Sequence, residues 1–138
     1  DFVVVNLGTN DNSSFNSAWT DESTGKVYQY QVNDDGTVAE SSKKEIYEGI
    51  KKFLYQIRKN NPSAKILWVW GMLKLDKIPA ILQNAMEDYK KESGDQNVFS
   101  LELDAMEDVE NHLLDKGSRW HPGPKTHELA AKKISQNL

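Results

Sequence analysis

Cysteine is absent from all 138 residues, which removes disulfides, thiolate nucleophiles and thiolate metal sites together while leaving the redox compartment open. Long apolar runs are missing as well. The longest, Phe2–Val5 and Ile66–Trp70, fall far short of the roughly 20 residues a membrane-spanning helix needs, so no membrane association is expected. Positive charge is not in excess: 17 Lys and Arg stand against 21 Asp and Glu, for a net charge of -4. The lysines are scattered rather than massed, and nucleic acid is not an expected partner. No glycine-rich phosphate loop follows any apolar run, and His112, His121 and His127 lack a spacing such as His-Glu-Xaa-Xaa-His. No cofactor and no metal is therefore expected. An initiator methionine is lacking too, and the chain opens at Asp1 directly on an apolar run, so it reads as the middle of a longer protein.

What remains is ordinary for a folded domain. With 38% hydrophobic and 28% charged residues, 8 Gly and 4 Pro, the composition is that of a soluble globular protein. The length suits a single domain over residues 1–138, able to bury about two thirds of its unfolded surface.

Periodicity orders the elements. Phe2-Val3-Val4-Val5, closing at Gly8, predicts a central parallel strand buried on both faces. Residues 10 to 42 are polar and read as a surface excursion. Within it, Val27–Val32 and Thr37–Val38 flank Asn33-Asp34-Asp35-Gly36 as a hairpin. Ile46, Ile50, Phe53, Leu54 and Ile57 recur at helical spacing from near Ser42 to the stop at Asn60-Asn61-Pro62. Lys65–Trp70 supplies a second buried strand, on which Trp68 and Trp70 point to one face as core residues. Ile78, Ile81, Leu82, Ala85, Met86 and Tyr89 trace another helix, stopped at Gly94. Val98–Leu101 is a short strand, followed by a solvated acidic stretch holding Asp104, Glu107, Asp108, Glu110 and Asp115. A final helix runs from Pro124 to about Gln136. Alternating strands and helices in this order predict an α/β fold with a parallel sheet covered on both faces.

In such sheets ligands bind beyond the carboxyl ends of the strands, which directs attention to two places. Gly8-Thr9-Asn10-Asp11 follows the first strand; Gly8 lets the backbone turn, and the Asn10 amide can serve a developing oxyanion. Asn10, Asp11 and Asn12 are also common turn formers, and that plainer reading stays open. Trp120-His121-Pro122-Gly123-Pro124 precedes the last helix, where two prolines stiffen a loop whose imidazole suits a general base. His112, in a charged stretch, and His127, within the last helix, are weaker candidates.

Gly-Xaa-Asn-Asp after a buried strand, together with His-Pro before the final helix, resembles blocks III and V of the SGNH (GDSL-like) hydrolases. The pattern is most similar to the family 2 carbohydrate esterases and spans nearly the whole chain. The resemblance implies the flavodoxin-like, three-layer α/β/α fold of that family. It implies Asn10 as an oxyanion donor, His121 as the base that activates a serine, and ester hydrolysis through an acyl-enzyme. It also implies acetylated carbohydrate of the acetylxylan type, or another small ester, as substrate, and an extracellular or cell-surface location.

The sequence departs from the family at two points. No Gly-Asp-Ser or Gly-Xaa-Ser-Xaa-Gly segment occurs, so the nucleophile and an early strand are expected to precede Asp1, and these residues alone are expected to be inactive. The sheet edge so exposed calls for a companion segment or a second copy of the chain. The position three residues before His121 holds Ser118 instead of the usual Asp, which favours the family 2 branch, where backbone carbonyls orient the imidazole. Asp115 is a poor substitute. Gly8, Asp11, Trp19 and Trp120 are the expected substrate contacts, with Tyr28 or Tyr30 adding a flat face for a sugar ring. Two rival readings are a noncatalytic carbohydrate-binding or interaction domain and a flavodoxin-like nucleotide binder; the missing phosphate loop weighs against the second.

Overall fold

Lys65–Trp70 carries no polar side chain after Lys65 except the two indole N–H groups, and such a segment is stable only in the middle of a sheet. The computed structural model describes residues 1–109 and 116–138, and there it is the central strand of three. The parallel order is β1 (Phe2–Asn6), β4 (Lys65–Trp70), β5 (Val98–Glu102), with Val5 beside Trp68 and Trp68 beside Ser100.

The described chain divides into two compact units. The first comprises Asp1–Leu7, Ser63–Leu75 and Asn97–Leu138 and holds this sheet. Ile66 through Trp70 are buried, and the expected core role of Trp68 and Trp70 holds. The Trp68 indole N–H donates to the Leu7 carbonyl at 3.1 Å. The expectation for the first strand needs correction. Among the described residues β1 pairs with β4 alone, the open edge expected where an earlier strand is missing, but Phe2 and Val4 are exposed while Val5 is buried, so one face is covered and not two. An uninterrupted apolar run does not distinguish one covered face from two.

The sheet ends in a close crossing. Leu103 N–H donates to the Trp70 carbonyl at 2.6 Å, and a Cβ on Gly71 would stand 2.5 Å from the Leu103 carbonyl oxygen. With φ at 112° besides, Gly71 has no substitute. Helix α4 (Pro124–Ser135) starts on proline at its first turn and sets Ala130 and Ile134 against Leu67, Val69 and Leu103. Truncating Leu67 to alanine there costs about 2–5 kcal/mol. The acidic stretch is partly neutralised by lysines: Asp104 pairs with Lys133 at 2.7 Å and Asp108 with Lys74 at 2.9 Å. Glu110, His112 and Asp115 lie outside the described residues.

The second unit comprises Gly8–Pro62 and Asp76–Gln96. It opens with a one-turn helix α1 (Thr9–Ser13) where sequence patterning gave a turn. Helix α2 (Glu40–Asn60) begins slightly before Ser42 and buries Ile46, Ile50, Leu54 and Ile57, while Phe53 of the expected stripe is exposed. Helix α3 (Ile78–Ser93) packs against it and stops at Gly94, whose φ of 72° is a left-handed cap. Polar ties join the pair: Tyr47 Oη to Asp88 at 2.7 Å, Lys51 to Glu92 at 2.6 Å, and Arg58 to Asp95 at 2.7 Å. No helix among the described residues is long and apolar enough to cross a membrane.

The hairpin in the polar excursion also differs from expectation. Val27–Tyr28 (β3) pairs antiparallel with Trp19–Thr20 (β2), and of the anticipated pairing only the Val32–Val38 bridge forms. The Asp21 carboxylate decides this. It accepts from Ser23 N–H at 2.9 Å, Ser23 Oγ at 2.7 Å and Thr24 Oγ1 at 2.8 Å, nucleating a turn that ends at Gly25 with φ 69°.

Candidate functional site

The two sequence-marked places fall in different units, His121 and Trp120 in the first, Gly8, Asn10, Asp11 and Trp19 in the second.

Among the described residues, backbone holds the His121 ring. Its Nδ1 lies 2.8 Å from the Ser118 carbonyl oxygen. A carbonyl can only accept, so Nδ1 carries a proton, and in the neutral ring Nε2 keeps its lone pair. The same oxygen accepts the His121 backbone N–H at 3.1 Å, and Gly117 N–H donates to the His121 carbonyl at 2.7 Å. Between them the chain makes a mirror-image turn, with φ of 54° at Arg119 and 65° at Trp120. Each costs roughly 1 kcal/mol or more for a residue with a side chain, so this carbonyl is aimed at the imidazole against local preference. Gly117 leaves no slack, since a Cβ there would sit 3.0 Å from the Pro122 carbonyl oxygen and 3.2 Å from that of His121. The Trp120 ring is 62% exposed, with the Lys116 ammonium 3.8 Å from its centroid. His127 is exposed on α4.

The other place is held by side chains. Gly8 is buried with φ at 121°, a conformation that side chains rarely adopt, and turns β1 into α1. Asn10 is exposed on α1, and among the described residues its amide makes no hydrogen bond. Asn12 is committed to structure instead. Its Oδ1 accepts Lys77 N–H at 3.1 Å and Ile78 N–H at 3.4 Å, capping α3, while its Nδ2 donates to Asp76 at 3.0 Å. Lys77 first, then Asn12, hold the Asp76 carboxyl below its ordinary range.

Asn10, Asp11 and Trp19 share one open hollow of about 330 Å³, whose walls include Tyr28, Tyr30 and Glu45. Trp19 and Tyr28 are cross-strand partners with ring centroids 5.4 Å apart, and Tyr30 leans on Phe15 at 5.4 Å. Burial first, then the charges of Asp11 and Glu45, push the Tyr30 hydroxyl up. Both tyrosines thus join Trp19, where the sequence left a choice between them. Glu45 was not foreseen, because nothing in its helical surroundings distinguishes it from the solvated residues beside it. Chemically, the first place offers a base with an oriented lone pair; the second offers a free amide beside flat aromatic faces and two carboxylates.

Similar proteins share this arrangement of elements. Over its whole length the chain superposes on an acetyl xylan esterase from the rumen bacterium Butyrivibrio proteoclasticus with a TM-score of 0.89 and 36% identity, covering 36% of that chain. It covers 34% of a family two carbohydrate esterase from Clostridium thermocellum solved with cellohexaose, at a TM-score of 0.61 and 22% identity, a likeness of fold. It is 26% identical to the cellulase/esterase CelE of Acetivibrio thermocellus over 99% of its own residues and 14% of that protein. The chain therefore spans little more than a third of these solved relatives, and their α/β fold with a parallel sheet is the fold expected for it. The family model for GDSL-like lipases and acylhydrolases matches residues 1–134, and the chain belongs to that family.

Proposed function

We propose that these residues form the part of a carboxylic ester hydrolase that supplies the general base, and that the complete enzyme removes acetyl groups from carbohydrate through a Ser-His site. The observation that carries the reading is the imidazole of His121, tethered through Nδ1 to the Ser118 carbonyl with Nε2 left as a proton acceptor. Membership of the acylhydrolase family and the likeness to an acetyl xylan esterase support the reaction class and the substrate.

In this scheme Nε2 takes the hydroxyl proton of a serine as its oxygen attacks the ester carbonyl carbon. The oxyanion that forms draws on preorganised donors, to which we assign the Asn10 side-chain amide. Collapse breaks the bond to the sugar oxygen, which leaves with the proton from Nε2. Water then repeats the sequence on the acyl-enzyme, releasing acetate and restoring serine and base. A neutral carbonyl orients the ring but adds no charge to steady the imidazolium, unlike the carboxylate of a full triad. Gly8, Asp11 and Trp120 are assigned to the substrate side, and a polymeric substrate places the enzyme outside the cell or on its surface.

No serine of these residues stands in a nucleophile motif, so the reading assigns the nucleophile to a segment beyond them. A fluorophosphonate that marks activated serines tests this by intact and peptide mass. The complete enzyme is expected to take one label outside residues 1–138 and to lose it, with about a thousandfold of its kcat, in His121→Ala. A label within these residues, or turnover that survives His121→Ala, overturns the assignment; binding of carbohydrate without any turnover would support the noncatalytic alternative.

A further inference from the structure

The hollow on the second unit carries more chemistry than an oxyanion donor needs. Trp19 is 61% exposed and Tyr28 stands beside it, so aromatic surface meets water in a folded protein, with the Lys26 ammonium over the Tyr28 ring. Exposed aromatic faces next to short polar side chains match the apolar CH face of a pyranose ring, whose hydroxyls find acceptors at the rim. Here the acceptors are Asp11 and Glu45, and no Lys or Arg is among the described residues that line the hollow. The Lys26 ammonium is nearby, 4.4 Å from the Tyr28 ring centroid, but it does not line the hollow. Burial first, and then these two carboxylates, raise the Tyr30 hydroxyl. Two carboxylates on a hollow lined by no described Lys or Arg are suited to accept hydrogen bonds from hydroxyls and to repel a third carboxylate.

We infer that this hollow is a subsite for a neutral sugar ring of the acylated carbohydrate, and that Asp11 and Glu45 make it refuse sugars bearing a uronate. The inference rests on the carbohydrate reading above but not on turnover. It concerns selection among carbohydrates by charge, with Trp19 as the stacking face and the carboxylates as the filter.

Calorimetric titration of the complete protein with a neutral xylo-oligosaccharide, and with one of equal length bearing glucuronate, tests it. The neutral ligand is expected to bind about tenfold more tightly, the scale for one carboxylate brought up to two in a solvent-exposed site. Added salt should narrow that gap in the unaltered protein, and Asp11→Asn with Glu45→Gln should bring it to within about twofold. Trp19→Ala should weaken the neutral ligand about fivefold. The two altered carboxylates are solvent-exposed, and a thermal melt of each variant checks that it folds. Equal or tighter binding of the glucuronate ligand, or neutral binding indifferent to Trp19→Ala, overturns the inference. Selective binding without deacetylation would leave the subsite standing and sink the esterase reading; deacetylation of small acetates without selective binding would do the reverse.

Discussion

The turn at 117–121 and the hollow around Trp19 solve opposite problems. In the first, one oxygen of Ser118 holds the imidazole, one N–H of Gly117 holds the backbone carbonyl of the same residue, and two residues accept left-handed backbone to make this possible. In the second, exposed rings and carboxylates project from α1, a hairpin of two-residue strands and α2, and few hydrogen bonds limit them. The difference is that expected between a group that must meet a proton at a fixed distance and a surface that must accept ring faces with some latitude. In the proposed enzyme, backbone positions the chemistry, and side chains sort the ligand.

Three substitutions would break or sharpen that contrast. The largest effect belongs to Gly117→Ala, whose Cβ must push the carbonyls of Pro122 and His121. We expect kcat of the complete enzyme to fall about tenfold to a hundredfold with KM nearly constant, since a displacement of about 1 Å suffices for such losses. Steady-state kinetics with unchanged kcat would show that the turn tolerates more than its geometry implies. Trp19→Ala should do the reverse, raising KM for an oligosaccharide ester about threefold to tenfold and leaving kcat within about twofold. A kcat effect as large as that of Gly117→Ala would erase the division of labour.

The smallest effect is electrostatic and confined to the second unit. Asp21, Asp76 and Asp88 all have carboxyls held below the ordinary range, the first by the Ser23 hydroxyl, the second by Lys77 and the third by the Tyr47 hydroxyl. A depressed folded-state pKa contributes stability that is complete above the unfolded value near about 4 and is lost as pH falls through the folded one. The urea midpoint should therefore drop between about pH 5 and pH 3, and Asp76→Asn should lessen that drop while lowering the midpoint at pH 5. An identical slope in Asp76→Asn would remove Asp76 from the account.

How much of this was legible in the sequence follows from what each feature depends on. Helices α2, α3 and α4 and strands β4 and β5 were legible because burial writes a period into the residues, and Gly94 and Pro124 mark two of the ends. The open face of β1 was not, since a run of valines does not tell one covered face from two. The hairpin moved because Asp21 with Ser23 and Thr24 forms a stronger turn than periodicity reveals. His121 and Asn10 stood out through resemblance, and so did a backbone carbonyl in the place of a missing aspartate. Which carbonyl, and the left-handed Arg119 and Trp120 that aim it, could not be read, because positive φ is foreseen only at glycine or asparagine.

Asn12 shows what such a motif conceals. Two places beyond Asn10, it looks like part of the same polar signature, yet its oxygen closes the first turn of a helix 65 residues later in the chain. An alanine scan of Gly8–Asn12 that records only product formed would score Asn12 as a catalytic position. Its loss would be one of yield and heat tolerance, and normalising each rate to the amount of folded protein would remove it from the active-site map.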